Sequence, residues 1–230
     1  MTRGIFVIGT DTGVGKTIAA AALLRGLEAS GLRAVGMKPV AAGIDLTEGG
    51  ALPADARALI DAGSVAAAVA DINPYAFVPP IAPELAARAA GVAIEMDVIA
   101  AAYARLAAIA DAVVVEGAGG ALVPLGPATD MLDIPARLQL PVLLVVGIRL
   151  GCLNHALLSA LAVRARGLKL AGWVANRIDR EMREGDANVS VLTQRLGLPP
   201  CADFEWRDDA STALQFGPAA VRALGFGLPS

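Results

Sequence analysis

The chain has 230 residues, a formal net charge of −3 and a pI near 5.2. This length favours one domain with a substantial core, and the acidic balance argues against nucleic acid or an anionic membrane as the main partner. An apolar fraction of 56% and a mean hydropathy of +0.60 raise the membrane question, but charges such as Arg25, Asp97, Arg105, Asp111 and Arg149 interrupt every candidate span. None reaches the roughly 18 to 20 uninterrupted apolar residues that a spanning helix needs. The N-terminal apolar run is too short for a signal peptide and lacks a cleavage pattern, so a soluble, cytoplasmic protein is expected. Cys152 and Cys201 stand alone, without C-x-x-C or Cys/His spacing, and read as reduced thiols.

Residues 5–8 are a short apolar run that leads into Gly9-Thr-Asp-Thr-Gly-Val-Gly-Lys-Thr17 and then into an alanine-rich helical pattern from Lys16 to about Ser30. Strand, glycine turn, Gly-Lys-Thr and helix together predict a phosphate-binding loop. In such a loop backbone N–H groups and the helix N-terminus face the anion. Lys16 would reach the β/γ-phosphates and the Thr17 hydroxyl would hold Mg²⁺. The loop is a variant, with Thr10 where the first glycine of G-x4-G-K-[ST] belongs. Asp11 lies within it and would repel phosphate if it faced inward; it points outward or serves the second substrate.

Residues 33–38 predict the second strand, parallel to the first and its neighbour by the β-α-β spacing. Lys38 falls at its carboxyl end, where ligands lie in open α/β sheets. Only three lysines occur, Lys16, Lys38 and Lys169, the other basic residues being arginine. A chain so poor in lysine keeps one where a compact ammonium is needed, which directs attention to Lys38. Residues 41–53 read as a loop and 54–62 as a short helix. Asp55 in its first turn has two readings, a favourable helix-dipole interaction or a metal-facing carboxylate.

Four prolines and two aromatics make residues 72–83 a shaped loop or edge segment. A helix over 96–110 feeds a buried parallel strand, 111–116. This strand ends in Glu116 and Gly117-Ala-Gly-Gly120, an acid at a strand tip that fits a Walker B role toward Mg²⁺. Helix 130–139 contains Pro135. Strand 141–147 is followed by Gly151-Cys-Leu-Asn-His155, which opens a helix to about Gly167 with Asn154 as a possible cap and an anion-binding N-terminus. His155, the single histidine, reads as a structural helix-start residue. Strand 170–175 ends in Asn176, whose amide can read a base edge. A charged loop, a helix over 188–196, a short strand over 202–206 and a helix over 210–224 complete the chain.

These motifs resemble the dethiobiotin synthetase family. The matches run through Gly9–Thr17, Lys38-Pro-Val-Ala41, Asn73-Pro-Tyr75, Val115-Glu-Gly-Ala-Gly-Gly120, Leu140-Pro-Val142, Leu150-Gly-Cys-Leu-Asn-His-Ala156 and Ala171-Gly-Trp-Val-Ala-Asn176. The resemblance implies an α/β P-loop NTPase-type three-layer fold with a mostly parallel sheet of about seven strands, a homodimer, and a site near the subunit interface. It implies ATP, CO2 and 7,8-diaminononanoate as substrates, with a carbamate and a carbamic-phosphoric anhydride as intermediates.

It further implies Lys38 and Lys16 as catalytic residues, and Thr17, Asp55 and Glu116 at Mg²⁺. ATP contacts are implied for Thr12, Gly13, Val14, Gly15, Lys16, Thr17 and Ile18, for Asp55, Glu116, Gly117, Ala118 and Gly119, and for Asn176, Arg177, Glu205, Trp206 and Arg207. The diamine would meet Thr12, Lys38, Ala42 and Gly119. Gly151, Cys152, Leu153 and Asn154 would hold its carboxylate in the partner subunit. Three positions depart from the family pattern: Ala42 replaces a substrate-binding serine, Ile81-Ala-Pro83 replaces Thr-Ser-Pro, and Phe204-Glu-Trp206 replaces Ile-Pro-Trp. A partition-ATPase type of nucleotide switch is the competing class, but the lysine such proteins carry early in the loop is absent from Thr10-Asp11-Thr12. A cobyrinate-type amidotransferase would need a glutaminase domain for which the chain has no room.

Overall fold

The computed structural model describes residues 3–44, 52–206 and 214–227. In chain order the elements are β1 (Arg3–Gly9), α1 (Lys16–Ala29), β2 (Ala34–Met37), β3 (Val40–Ala42), α2 (Ala54–Ala62), α3 (Val69–Ile72), β4 (Tyr75–Phe77), α4 (Pro83–Ala89), α5 (Met96–Ile109), β5 (Ala112–Glu116), β6 (Pro124–Gly126), β7 (Thr129–Asp130), α6 (Asp133–Leu138), β8 (Val142–Gly147), α7 (Cys152–Ala165), β9 (Leu170–Asn176), α8 (Gly185–Leu196), β10 (Ala202–Phe204) and α9 (Pro218–Ala223). No helix among the described residues is long and apolar enough to cross a membrane.

Six strands form one parallel sheet in the order β10-β9-β8-β1-β5-β2. The expectation of about seven strands exceeds this by one. β3 and β4 do not join that sheet but pair with each other as a separate two-stranded sheet. The side-chain period of two along a strand sends alternate residues of β1 to opposite faces. Ile5 and Val7 pack with α1, Leu59 of α2 and Val221 of α9, whereas Phe6 and Ile8 join the core built with α5, α7 and α8. Helices cover both faces and the three layers follow. Strands buried on both sides need no polar alternation, which is why β5 and β8 read as continuous apolar runs.

Four local expectations are corrected. β2 is not the neighbour of β1, because β5 lies between them and pairs with both. The β-α-β spacing establishes a crossover but says nothing about which strand later fills the gap. Asn154 is not the cap of α7; Gly151 holds that position with φ 92°, and the helix starts at Cys152. Pro135 does not interrupt α6, because it lies in the first turn, where a missing N–H costs no helical bond. The final helix is shorter than expected and starts with Pro218; residues 207–213 lie outside the described set.

The fold matters to function through strand tips. Central β1 carries the glycine turn at its carboxyl end, and Val7 is in register with Glu116 on β5. Thr10 N–H donates to Val145 O of β8 at 3.0 Å and Gly117 N–H to Val7 O at 2.9 Å. Three adjacent strand tips are thereby fixed to one another, with β2 and Lys38 one strand further.

Candidate active site

The carboxyl edge of the sheet holds a cavity of about 720 Å³. Its lining includes Thr12, Gly13, Gly15, Lys16, Thr17 and Ile18 from the glycine turn and α1, Lys38, Ala41 and Ala42 beside β2 and β3, and Asp55 of α2. Residues 80–83, Glu116, Ala118, Gly119 and Val123 complete it. Val14 and Gly117 are buried and do not line it.

Lys38 is the centre of the charged floor. It is 2% exposed, and its ammonium donates to Glu116 Oε1 at 2.6 Å, Asp55 Oδ2 at 2.8 Å and Gly117 O at 3.1 Å. All three ammonium protons therefore have acceptors. The backbone is pinned as well: Lys38 N–H donates to Ile72 O at 2.7 Å, and Asn73 Nδ2 donates to Lys38 O at 2.6 Å. Burial alone would push this amine down, but Glu116 and Asp55 outweigh it and hold the ammonium above its ordinary range. Burial raises the Glu116 carboxyl, against the pull of Lys38. Burial works the same way on Asp55, but there Lys38 wins and the carboxyl is lowered.

Thr17 Oγ1 shares its one proton between Glu116 Oε1 at 2.9 Å and Asp55 Oδ1 at 3.1 Å. Glu116 is fully buried and its Oε2 has no hydrogen-bond partner. An unpartnered buried carboxylate oxygen is costly, and here it stands beside a second carboxylate and a hydroxyl. This oxygen-only set suits a hard divalent cation that takes its other ligands from phosphate and water. The described residues contain no cluster of three His, Cys, Asp or Glu side chains that could hold a metal by themselves. Asp55 thus reaches the charged centre, which the helix-dipole reading alone would not require.

Lys16 is 7% exposed and donates to Asp11 O at 3.0 Å. Burial, then the neighbouring Lys38 charge, lowers its pKa to about 8. A triphosphate would reverse that shift, so nucleotide binding above pH 8 must take up a proton. Affinity for a non-hydrolysable ATP analogue is expected to hold steady below pH 8 and to fall up to tenfold per pH unit above it. Calorimetry in two buffers of different ionisation enthalpy reads the proton uptake directly; a flat profile to pH 10 would contradict it.

Asn176 sits at the tip of β9 and donates from Nδ2 to Val14 O at 2.9 Å, behind the glycine turn. Arg177 is bound to Asp186, Asp203 and Glu205, and Asp203, its largest influence, raises its guanidinium further. Trp206 is half-exposed, and Arg207 lies outside the described residues. Gly151, Cys152, Leu153 and Asn154 form the start of α7 and do not line the cavity. Exposed His155 lies in that first turn. Both thiols are free; burial pushes Cys201 up to about 12.

Three contributors escaped the sequence reading. Pro80 and Val123 line the cavity as apolar walls without any motif. Arg149 contacts Asp11 Oδ2 at 2.6 Å across 138 positions; the signal was Asp11 itself, a carboxylate in a phosphate loop that needs a counter-charge.

The family pattern described as an AAA domain matches residues 3–213. The chain is 49% identical over 224 residues to the ATP-dependent dethiobiotin synthetase BioD of Xanthomonas oryzae pv. oryzae (strain PXO99A), covering 97% of each chain. It is 54% identical over 199 residues, 86% of each chain, to the enzyme of that name from Nitrosospira multiformis. The chain belongs to the ATP-dependent dethiobiotin synthetase family. Solved structures extend the fold: a ParA family ATPase from Chlorobium tepidum TLS superposes with TM-score 0.56 at 15% identity, over 90% of this chain and 85% of that one. The signal recognition particle receptor FtsY of Elizabethkingia anophelis gives TM-score 0.52 at 18% identity, over 97% of this chain and 65% of that receptor. The dethiobiotin synthetase fold here is thus an α/β fold of the P-loop NTPase type.

Proposed function

We propose that the protein carboxylates 7,8-diaminononanoate with CO2 and closes it to dethiobiotin at the expense of ATP, releasing ADP and phosphate. The observation that carries this reading is the convergence of Lys38, Asp55, Glu116 and Thr17 on one floor beside the phosphate loop, in a chain of this family. The whole chain is read as one catalytic domain. The triphosphate follows Thr12 to Ile18 and the turn Glu116 to Gly119, and the base lies toward Asn176, Arg177, Glu205 and Trp206. The diamine takes the arm of the cavity near Thr12, Lys38, Ala42 and Gly119. Ala42 offers no hydroxyl to the diamine, and backbone amides or water would supply that contact.

In the proposed sequence, one substrate amine takes up CO2 and loses a proton to give a carbamate. A carbamate oxygen attacks the γ-phosphorus and ADP leaves. The second amine then attacks the carbonyl carbon of the resulting anhydride, phosphate departs, and the five-membered ring closes. Lys16 and Lys38 hold positive charge against the transferring phosphoryl group, so catalysis is a matter of position and electrostatics and needs no side-chain nucleophile. Thr17, Asp55 and Glu116 would hold Mg²⁺, which when bound neutralises and aligns phosphate oxygens. The unpartnered Glu116 oxygen supports that assignment.

A homodimer fits the exposed apolar face of Leu150, Leu158 and Leu161 on and beside α7. It would bring residues 151–154 to the partner's diamine carboxylate.

Phosphate release is expected only when diamine, bicarbonate, Mg²⁺ and ATP are present together, with dethiobiotin detected by mass spectrometry. Equal ATP hydrolysis without the diamine would favour a nucleotide switch instead. Sedimentation of the same sample tests the pairing: a fully active monomer would exclude a shared site.

A further inference from the structure

The phosphate loop contains a negative charge that the proposed reaction does not use. Asp11 lies between Gly9 and Gly13, where a bound triphosphate would be strongly anionic, yet it is not among the residues that line the cavity beside Thr12 and Gly13. Its Oδ1 accepts the Thr12 backbone N–H at 2.7 Å, and its Oδ2 meets Arg149 Nη2 at 2.6 Å. Its main-chain oxygen accepts from Lys16 Nζ at 3.0 Å. The residue that carries the counter-charge stands in the turn between β8 and α7. That turn is itself fastened to the site: Ile148 N–H donates to Asn176 O at 2.7 Å, and Arg149 O accepts the Cys152 N–H at 3.0 Å. Arg149 therefore starts α7 through its backbone and reaches the phosphate loop through its side chain, so the two contributions can be separated by substitution.

We infer that Arg149 is a positioning residue for the nucleotide site: it holds the Asp11 carboxylate neutralised and turned away from the cavity, so that the loop presents amides and Lys16 to the phosphates. Both side chains are nearly half-exposed, so the pair adds little to fold stability. Its effect falls on the ligand, because an uncompensated carboxylate in the loop repels several triphosphate charges at once. The inference rests on the reading of this loop as the ATP site and is independent of which amine is carboxylated.

The test titrates a non-hydrolysable ATP analogue with Mg²⁺ and no diamine, so a wrong substrate assignment leaves it unaffected. Arg149→Ala is expected to weaken binding about tenfold at low salt, and the deficit should shrink as salt screens the exposed charges. Adding Asp11→Asn to that variant removes the uncompensated charge and should recover affinity to within about threefold of the wild type. Arg149→Lys keeps the charge in place of the guanidinium and should bind within about threefold as well, which keeps the test open if the alanine variant folds poorly. Wild-type affinity in Arg149→Ala would overturn the inference. So would a double variant as weak as the single one, a deficit indifferent to salt, or loss of binding in Arg149→Lys.

Discussion

Lys38→Gln is expected to lower kcat by about a thousandfold, close to 4 kcal/mol of transition-state stabilisation, while the affinity for a nucleotide analogue changes by less than about tenfold. The reason is the position of the ammonium. Lys38 is clamped by Glu116, Asp55 and the Gly117 carbonyl, at the floor of the cavity rather than along the glycine turn. In the proposed reaction its charge serves the group in transfer, and Gln keeps polarity there, on a side chain one atom shorter, without that charge. The same substitution leaves buried Glu116 without its counter-ion, a state that costs about 3 to 5 kcal/mol in comparable sites unless the carboxyl takes up a proton. The unliganded variant should therefore melt at a lower temperature than the wild type, and saturating Mg²⁺-nucleotide should restore much of the difference by binding the folded state alone. Single-turnover phosphate release, analogue titration and thermal melts separate these effects. Unaltered turnover would remove Lys38 from the mechanism.

Gly15→Ala should reduce nucleotide affinity by at least about a hundredfold, or roughly 2.7 kcal/mol, with little change in the far-ultraviolet circular dichroism of the folded chain. Gly15 has φ 87° and ψ 32° at the start of α1, a left-handed conformation that costs an L-residue about 1 to 2 kcal/mol. Space is the larger obstacle. A Cβ there would stand 2.1 Å from Asn176 Nδ2, and Asn176 is the residue that holds the Val14 carbonyl at 2.9 Å. Relief of the clash breaks that brace and moves the loop. Gly13→Ala is the control, since Gly13 also has a positive φ of 75° but nothing lies within 4 Å of an added Cβ. Its deficit should stay near the backbone cost alone, about tenfold. If Gly13→Ala and Gly15→Ala weaken binding equally, the Asn176 contact is not what makes Gly15 necessary.

The local sequence determined the parts that depend on neighbours in the chain. An apolar run, a glycine turn, Gly-Lys-Thr and an alanine-rich period are enough to make β1, the glycine turn and α1, because short-range geometry sets the backbone amides of such a loop. Glu116 was legible for the same reason, an acid that ends a buried strand. Continuous apolar runs likewise announced β5 and β8 as strands covered on both faces. Short elements such as α3 and β4 were not legible, since three or four residues carry too little periodicity to separate helix, strand and turn.

Only the tertiary structure decided which strand tips meet. Sheet order placed β5 between β1 and β2, so Lys38 found Glu116 across 78 positions and Asp55 came in from α2 to complete the floor. It also turned the ambiguity of Asp55 into a contact with Lys38, and the problem of Asp11 into a pairing with Arg149. Backbone patterns follow from torsions and local burial, which a few consecutive residues determine. Charge pairing follows from distance, and distance between residues far apart in the chain exists only once the hydrophobic faces of the sheet have been buried.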